Sequence, residues 1–121
     1  MDAEKIAGMI IGIVTYGIVA LIMAGIGVAQ RRSKRPVKFY SGETPPKAEE
    51  LTDVEAWNQK HGTMWILYGG ILFVSGVIGF LMVDSAWMTV PLCGGVFVPL
   101  PFMIDHHDRL KRQYMKKKRQ L

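Results

Sequence analysis

Three histidines are the residues of this chain best suited to chemistry, and two of them are adjacent. Asp105-His106-His107-Asp108 sets four ligand-type side chains in a row, and His61 is the third histidine. Imidazole nitrogens and carboxylate oxygens bind divalent metals, and His61 belongs at the same membrane interface, so a shared site is geometrically conceivable. Adjacent residues on a helix diverge by about 100°, so at most one of the two histidines joins Asp105 or Asp108 at one centre. Neither a Cys-x-x-Cys nor a His-Glu-x-x-His pattern is present. We read residues 105–108 as the polar boundary that ends a membrane span, with no metal and no other cofactor assigned. The sequence also lacks a phosphate-cradling loop, a nucleophile paired with a base and a carboxylate pair near a pocket. No catalytic residue is assigned, and the chain is read as non-enzymatic.

A second constellation is longer. Val54, Trp57, His61, Trp65, Tyr68 and Leu72 recur at spacings of three and four, which places them on one helical face. One reading is an interfacial belt, with Trp and Tyr rings at headgroup depth. The sharper reading is a groove in which Trp57, Asn58, His61, Trp65 and Tyr68 contact a lipid headgroup or a partner.

The elements that position these residues are membrane spans. Residues 6–29, 64–83 and 86–104 carry no formal charge. A helix rises 1.5 Å per residue, so each run approaches or exceeds the length that crosses a hydrocarbon core of about 30 Å. With 121 residues in all, three spans leave no room for a soluble domain with its own core. The expected fold is an all-α membrane protein, a single domain over residues 1–121. Its three transmembrane helices are joined by a loop at 30–63, and a basic tail occupies 105–121. The N-terminal five residues are net acidic and the first run outlasts a signal-peptide core, so it is read as a retained anchor. The lone cysteine, Cys93, is a small apolar filler in the third run.

Charge sets orientation. Residues 31–38 hold five basic groups and residues 109–119 hold seven, while the N-terminus and the turn at Asp84 are poor in Lys and Arg. The positive-inside rule then places the N-terminus outside and the loop and tail in the cytoplasm of a cell membrane. Arg31, Arg32, Arg35, Lys116, Lys117 and Lys118 are the candidate contacts to anionic lipid, each worth about 1 kcal/mol near the surface. The net charge of +5 flanks spans and accompanies no nucleic-acid module, so membrane lipid rather than nucleic acid is the expected partner.

Small residues organise the spans. Gly8-x-x-x-Gly12 in the first lets another backbone approach closely. Gly62, Gly69 and Gly76 follow a seven-residue period that keeps one seam toward a neighbour. The third span is the expected neighbour, because only Asp84 and Ser85 separate it from the second. That third span is interrupted by Pro91, Gly94, Gly95, Pro99 and Pro101, and a kinked helix follows. Thr52-Asp53-Val54-Glu55 fits a capping box, with Thr52 as the cap of a helix that runs into the second span.

Phe39-Tyr40-Ser41-Gly42-Glu43-Thr44-Pro45-Pro46, the run from Thr52 to Gly62, and Met64-Trp65-Ile66-Leu67-Tyr68-Gly69 together resemble a group of small bacterial integral membrane proteins. Their layout is distantly similar to the immunity proteins that protect cells from the sporulation-delay peptide toxin. The resemblance covers about residues 36–80, with Phe39-Tyr40-Ser41-Gly42 standing where the immunity family has Gly-x-Arg-Thr. It implies recognition of a membrane-active peptide through Trp57, Asn58, His61, Gly62 and Trp65. The sequence thus points to a membrane-bound binding protein for a peptide, lipid or protein partner. A homo-oligomeric channel or transporter using the broken third span, or a structural subunit of a membrane complex, is the alternative.

Overall fold

The computed structural model describes residues 2–39 and 42–116. Four helices carry the fold: α1 (Ala3–Arg32), α2 (Val54–Leu81), α3 (Thr89–Phe97) and α4 (Pro99–Tyr114). The first two, and the last two taken together, are long and apolar enough to cross a membrane. The fold is therefore the expected all-helical one with three span-length units. Among the described residues the only extended pairing is one isolated bridge, Leu51 with Met115.

Local chemistry sets the ends of each helix. Asp2 caps α1 by accepting from the Lys5 backbone N–H at 2.8 Å, while Arg31 and Arg32 complement its negative C-terminal end. The cap of α2 is Asp53, which accepts from the Ala56 N–H at 3.0 Å. Thr52, the expected cap, is engaged elsewhere: its backbone N–H donates to the Tyr114 carbonyl at 2.7 Å. Pairing with the end of α4 keeps residue 52 outside the helix, so the capping role moves one position on.

The glycine seam of α2 faces α1, which corrects the expectation that it faces the third span. A Cβ on Gly62 would lie 2.4 Å from the Gly27 carbonyl oxygen, and one on Gly69 would lie 2.7 Å from that of Ala20. Farther along, a Cβ on Gly76 would meet Tyr16 at 2.6 Å, and Gly12 closes on the Phe80 ring. Rising numbers on α2 thus pair with falling numbers on α1, as antiparallel spans require. Such contact lets backbones touch where lipid supplies no hydrophobic drive. Gly8, also expected at a packing face, has open space around it. A short connection makes α2 and α3 neighbours, but it does not decide which face of α2 carries the small residues. The α2–α3 contact uses Gly79 against Leu92 and Gly95 against Ser75.

The turn between these spans is also longer than two residues. It runs over 82–88, with the Ser85 N–H bonded to the Met82 carbonyl at 2.8 Å and the Met88 N–H to Ser85 at 3.3 Å. Helix α3 therefore starts at Thr89. It meets α4 through Val98, whose backbone stays helical at φ −64° and ψ −41°, so the third span continues through its prolines. Two tyrosines tie it to its neighbours: the Tyr16 and Tyr68 hydroxyls each donate at 2.9 Å, to the Leu92 and Val96 carbonyls.

At the loop end the chain builds a cap. Leu51, Trp57 and Leu110 form a buried cluster flanked by Val37, Val54, Tyr114 and Met115. The Thr52 and Lys116 N–H groups donate to Tyr114 and Glu50, so loop and tail are stitched together. A second cluster of Ala20, Met64, Tyr68, Leu72 and Met103 lies deeper among the spans. Three spans leave no room for a soluble domain with its own core, yet the loop, α2 and α4 bury the small loop-side cluster between them.

Candidate functional site

Two features converge where α2 and α4 leave the apolar region. The first is a hydrogen-bonded chain of buried polar side chains. On α2, the His61 Nδ1 bonds the Trp57 carbonyl at 2.8 Å, and its Nε2 lies 2.8 Å from the His107 Nδ1 on α4. The His107 Nε2 then meets Glu43 Oε2 at 2.8 Å. Glu43 comes from the loop, held there by the Phe39 N–H on Oε1 at 2.8 Å and by Lys111 Nζ at 3.3 Å from Oε2. The His61 residue is fully buried, and the side chains of His107 and Glu43 are 4% and 8% exposed. Phe39 stacks on the His107 ring at 4.7 Å, and Trp57 lies 4.2 Å from His61, which completes an aromatic sheath.

Hydrogen-bond logic fixes the proton count. The Trp57 carbonyl only accepts, so the His61 Nδ1 carries a hydrogen. The two remaining links, His61 to His107 and His107 to Glu43, each need one more. Three protons on five sites leave the triad neutral overall, one positive imidazolium balancing one carboxylate, or all three groups uncharged. Burial opposes ionisation of Glu43, but the Phe39 N–H, the His107 ring and the Lys111 ammonium outweigh it and hold the carboxyl below its ordinary value. The chain ends on a backbone carbonyl that cannot pass a proton on. It is a clasp joining loop, α2 and α4, not a conduit.

The loop is pinned just beside it. The Asn58 side chain accepts from the Val37 N–H at 3.0 Å and donates to the Ser33 and Arg35 carbonyls, both at 2.9 Å. The Trp57 Nε1–H donates to the Val37 carbonyl at 2.9 Å. Asn58 is thus satisfied in both directions while only 1% exposed.

The second feature is a groove of about 910 Å³ between α2 and the α3–α4 unit. Its walls are apolar, including Leu67, Ile71, Val98 and Phe102, with Tyr68 along one side. Lys60 and His106 stand at its loop-side mouth. Each is the immediate neighbour of a clasp histidine. On both helices, one residue of the pair turns into the clasp and the other toward the groove. Pro91, Gly94, Gly95 and Pro99 also line it, and a Cβ on Gly94 would touch nothing within 4 Å.

The structure separates the five residues expected to meet a partner. Trp57, Asn58 and His61 all face inward: the first two are bonded to the loop, and His61 to the Trp57 carbonyl and His107. Trp65 is half-buried against Phe39, and Tyr68 borders the groove. Of the expected lipid contacts, Arg32 and Arg35 are exposed, and Arg31 reaches Thr63 Oγ1 at 3.3 Å. Lys116 is exposed, and its backbone N–H is bonded to Glu50. Lys117 and Lys118 lie outside the described residues, as do Tyr40 and Ser41 of the resemblance. Among the described residues no three His, Cys, Asp or Glu side chains gather as a metal site. Sequence reasoning missed Glu43, His107 and Lys111 as a unit; the acid in the Pro-rich loop and the four-residue spacing of His107 and Lys111 were the available signals.

No family model, curated protein or solved structure matches this chain.

Proposed function

We propose that this is a non-enzymatic membrane protein that binds a hydrophobic guest in the groove between its second and third spans. The observation that carries the reading is the groove itself, whose volume of about 910 Å³ falls in the range of small-molecule sites, about 300–1,000 Å³. Its apolar walls and its two basic-type residues at one mouth give a guest both burial and orientation. Engagement of both ring nitrogens in His61 and in His107 leaves the clasp no free base, which supports binding over catalysis. The Lys and Arg distribution supports a cell-membrane location with the loop and tail in the cytoplasm. Resistance to a membrane-active peptide is a narrower form of the same reading.

The test is to extract the full chain in a gentle detergent and weigh it intact with whatever it retains. A discrete guest on the wild type, lost from Gly94→Leu, supports the reading. Equal retention by both, or none by either, refutes it. A second reading, an oligomeric channel, draws on Pro91, Gly94 and Pro99 lining the groove. It requires flux through reconstituted vesicles that falls when those prolines are replaced.

A further inference from the structure

We propose that the guest is one anionic phospholipid from the leaflet on the loop side, with an acyl chain in the groove and its phosphate at Lys60 and His106. This rests on the binding reading and names the chemistry of its ligand.

Three observations lead there. The first is length. The groove follows α2 from Lys60 to Ser75, which at 1.5 Å per residue is about 22 Å. A whole bilayer including headgroups is about 40–45 Å thick, so one leaflet measures about 20–22 Å. The groove is as long as one lipid, and its polar mouth is where the headgroup of that leaflet lies.

The second is charge. The residues that border the groove include Lys60 and His106 but no Asp or Glu. Among the described residues Lys60 forms no ion pair; its ammonium lies over the Tyr114 ring at 5.5 Å. An anion can therefore approach the mouth without displacing a carboxylate. A phosphate can accept from an ammonium and a ring N–H together, and in an anionic lipid it does so without the choline cation that phosphatidylcholine would bring beside Lys60.

The third is the lining, which decides against an extended peptide. Few polar groups line the walls, so the backbone N–H and C=O groups of such a peptide would be left unpaired in an apolar slot. An acyl chain is thin, flexible and without polar atoms. It also suits the wall at Gly94, where no side chain competes for the space.

The experiment incorporates the full chain into nanodiscs made from equal parts phosphatidylcholine and phosphatidylglycerol, then identifies the lipids it keeps on transfer to detergent by native mass spectrometry. The wild type should hold one phosphatidylglycerol in clear preference to phosphatidylcholine. Lys60→Glu changes an exposed residue and should leave the fold intact. It trades an attraction for a repulsion and should cut that preference roughly 30-fold. Gly94→Leu should lose the lipid of both headgroups. If the wild type and Lys60→Glu keep the same lipid mixture, or a copurified peptide displaces all lipid, the inference is overturned while guest binding stands. If Gly94→Leu retains as much lipid as the wild type, the groove is not the site, and the inference falls together with the reading beneath it.

Discussion

Replacing Glu43 tests the clasp, because it sits at the junction of loop, α4 and α2. Glu43→Ala removes the carboxylate from the Phe39 N–H, from His107 and from Lys111 at once. Removing one member of a buried pair costs about 3–5 kcal/mol, since the partner is left buried and unsatisfied. Glu43→Gln keeps an oxygen for the Phe39 N–H and offers an N–H to the His107 ring. Its cost should fall to about 1–3 kcal/mol. Lys111→Ala should cost less than about 1 kcal/mol, because that side chain is 43% exposed. The assay is denaturant titration in mixed micelles followed by tryptophan emission, since Trp57 and Trp65 flank the clasp. A double-mutant cycle with His107→Ala should give a coupling of at least about 1.5 kcal/mol. Additivity within about 0.5 kcal/mol, or an order other than Ala above Gln above Lys111→Ala, would refute the clasp.

Further expectations concern pH, packing and capping. The folded Glu43 carboxyl is held below its ordinary value, so its contribution is complete above the unfolded value and is lost as pH falls through the folded one. Stability referable to Glu43 should therefore hold down to about pH 5 and decline below about pH 4, and Glu43→Gln should remove that acid-side decline from the titration. Gly69→Leu should drive α1 and α2 apart and destabilise by at least about 1–3 kcal/mol, whereas Gly8→Leu, facing open space, should be neutral in the same unfolding assay. Asp53→Ala should cost about 1 kcal/mol through the lost cap, and Thr52→Ala should cost much less, because its bond to Tyr114 uses backbone.

How much of this was legible depends on the range of the interaction. The three spans were readable because a charge-free run reports its own environment. The helical face of Trp57, His61, Trp65 and Tyr68 was readable from a three-four spacing, and the cap of α2 falls at Asp53, one residue beyond the expected Thr52. What covers that face was not readable. His107 reaches Glu43 across 64 residues and His61 across 46, and no periodicity encodes such a meeting. The glycine period of α2 correctly announced a close helix contact, yet sequence proximity suggested the wrong partner. A seven-residue repeat fixes a face, while the choice of neighbour is made by the Gly27, Ala20 and Gly12 surface of α1. The groove is harder still, because no local pattern tells that the walls beside Gly94 and Pro99 stand apart from α2. Broken helices were noticed in the sequence, but the space beside them belongs to three dimensions.

The most direct test of the groove as a binding site is site-specific photocrosslinking. A photoreactive residue is placed at Leu67, which lines the groove, or at Leu21 on the outer face of α1, in otherwise identical chains. The two side chains are similarly open, at 62% and 73% exposure, so access alone does not distinguish them. The expected result is one discrete, saturable adduct at Leu67, abolished by Gly94→Leu, and only diffuse, unsaturable labelling at Leu21. Identical labelling at both positions would contradict it, reducing the groove to ordinary lipid-facing surface.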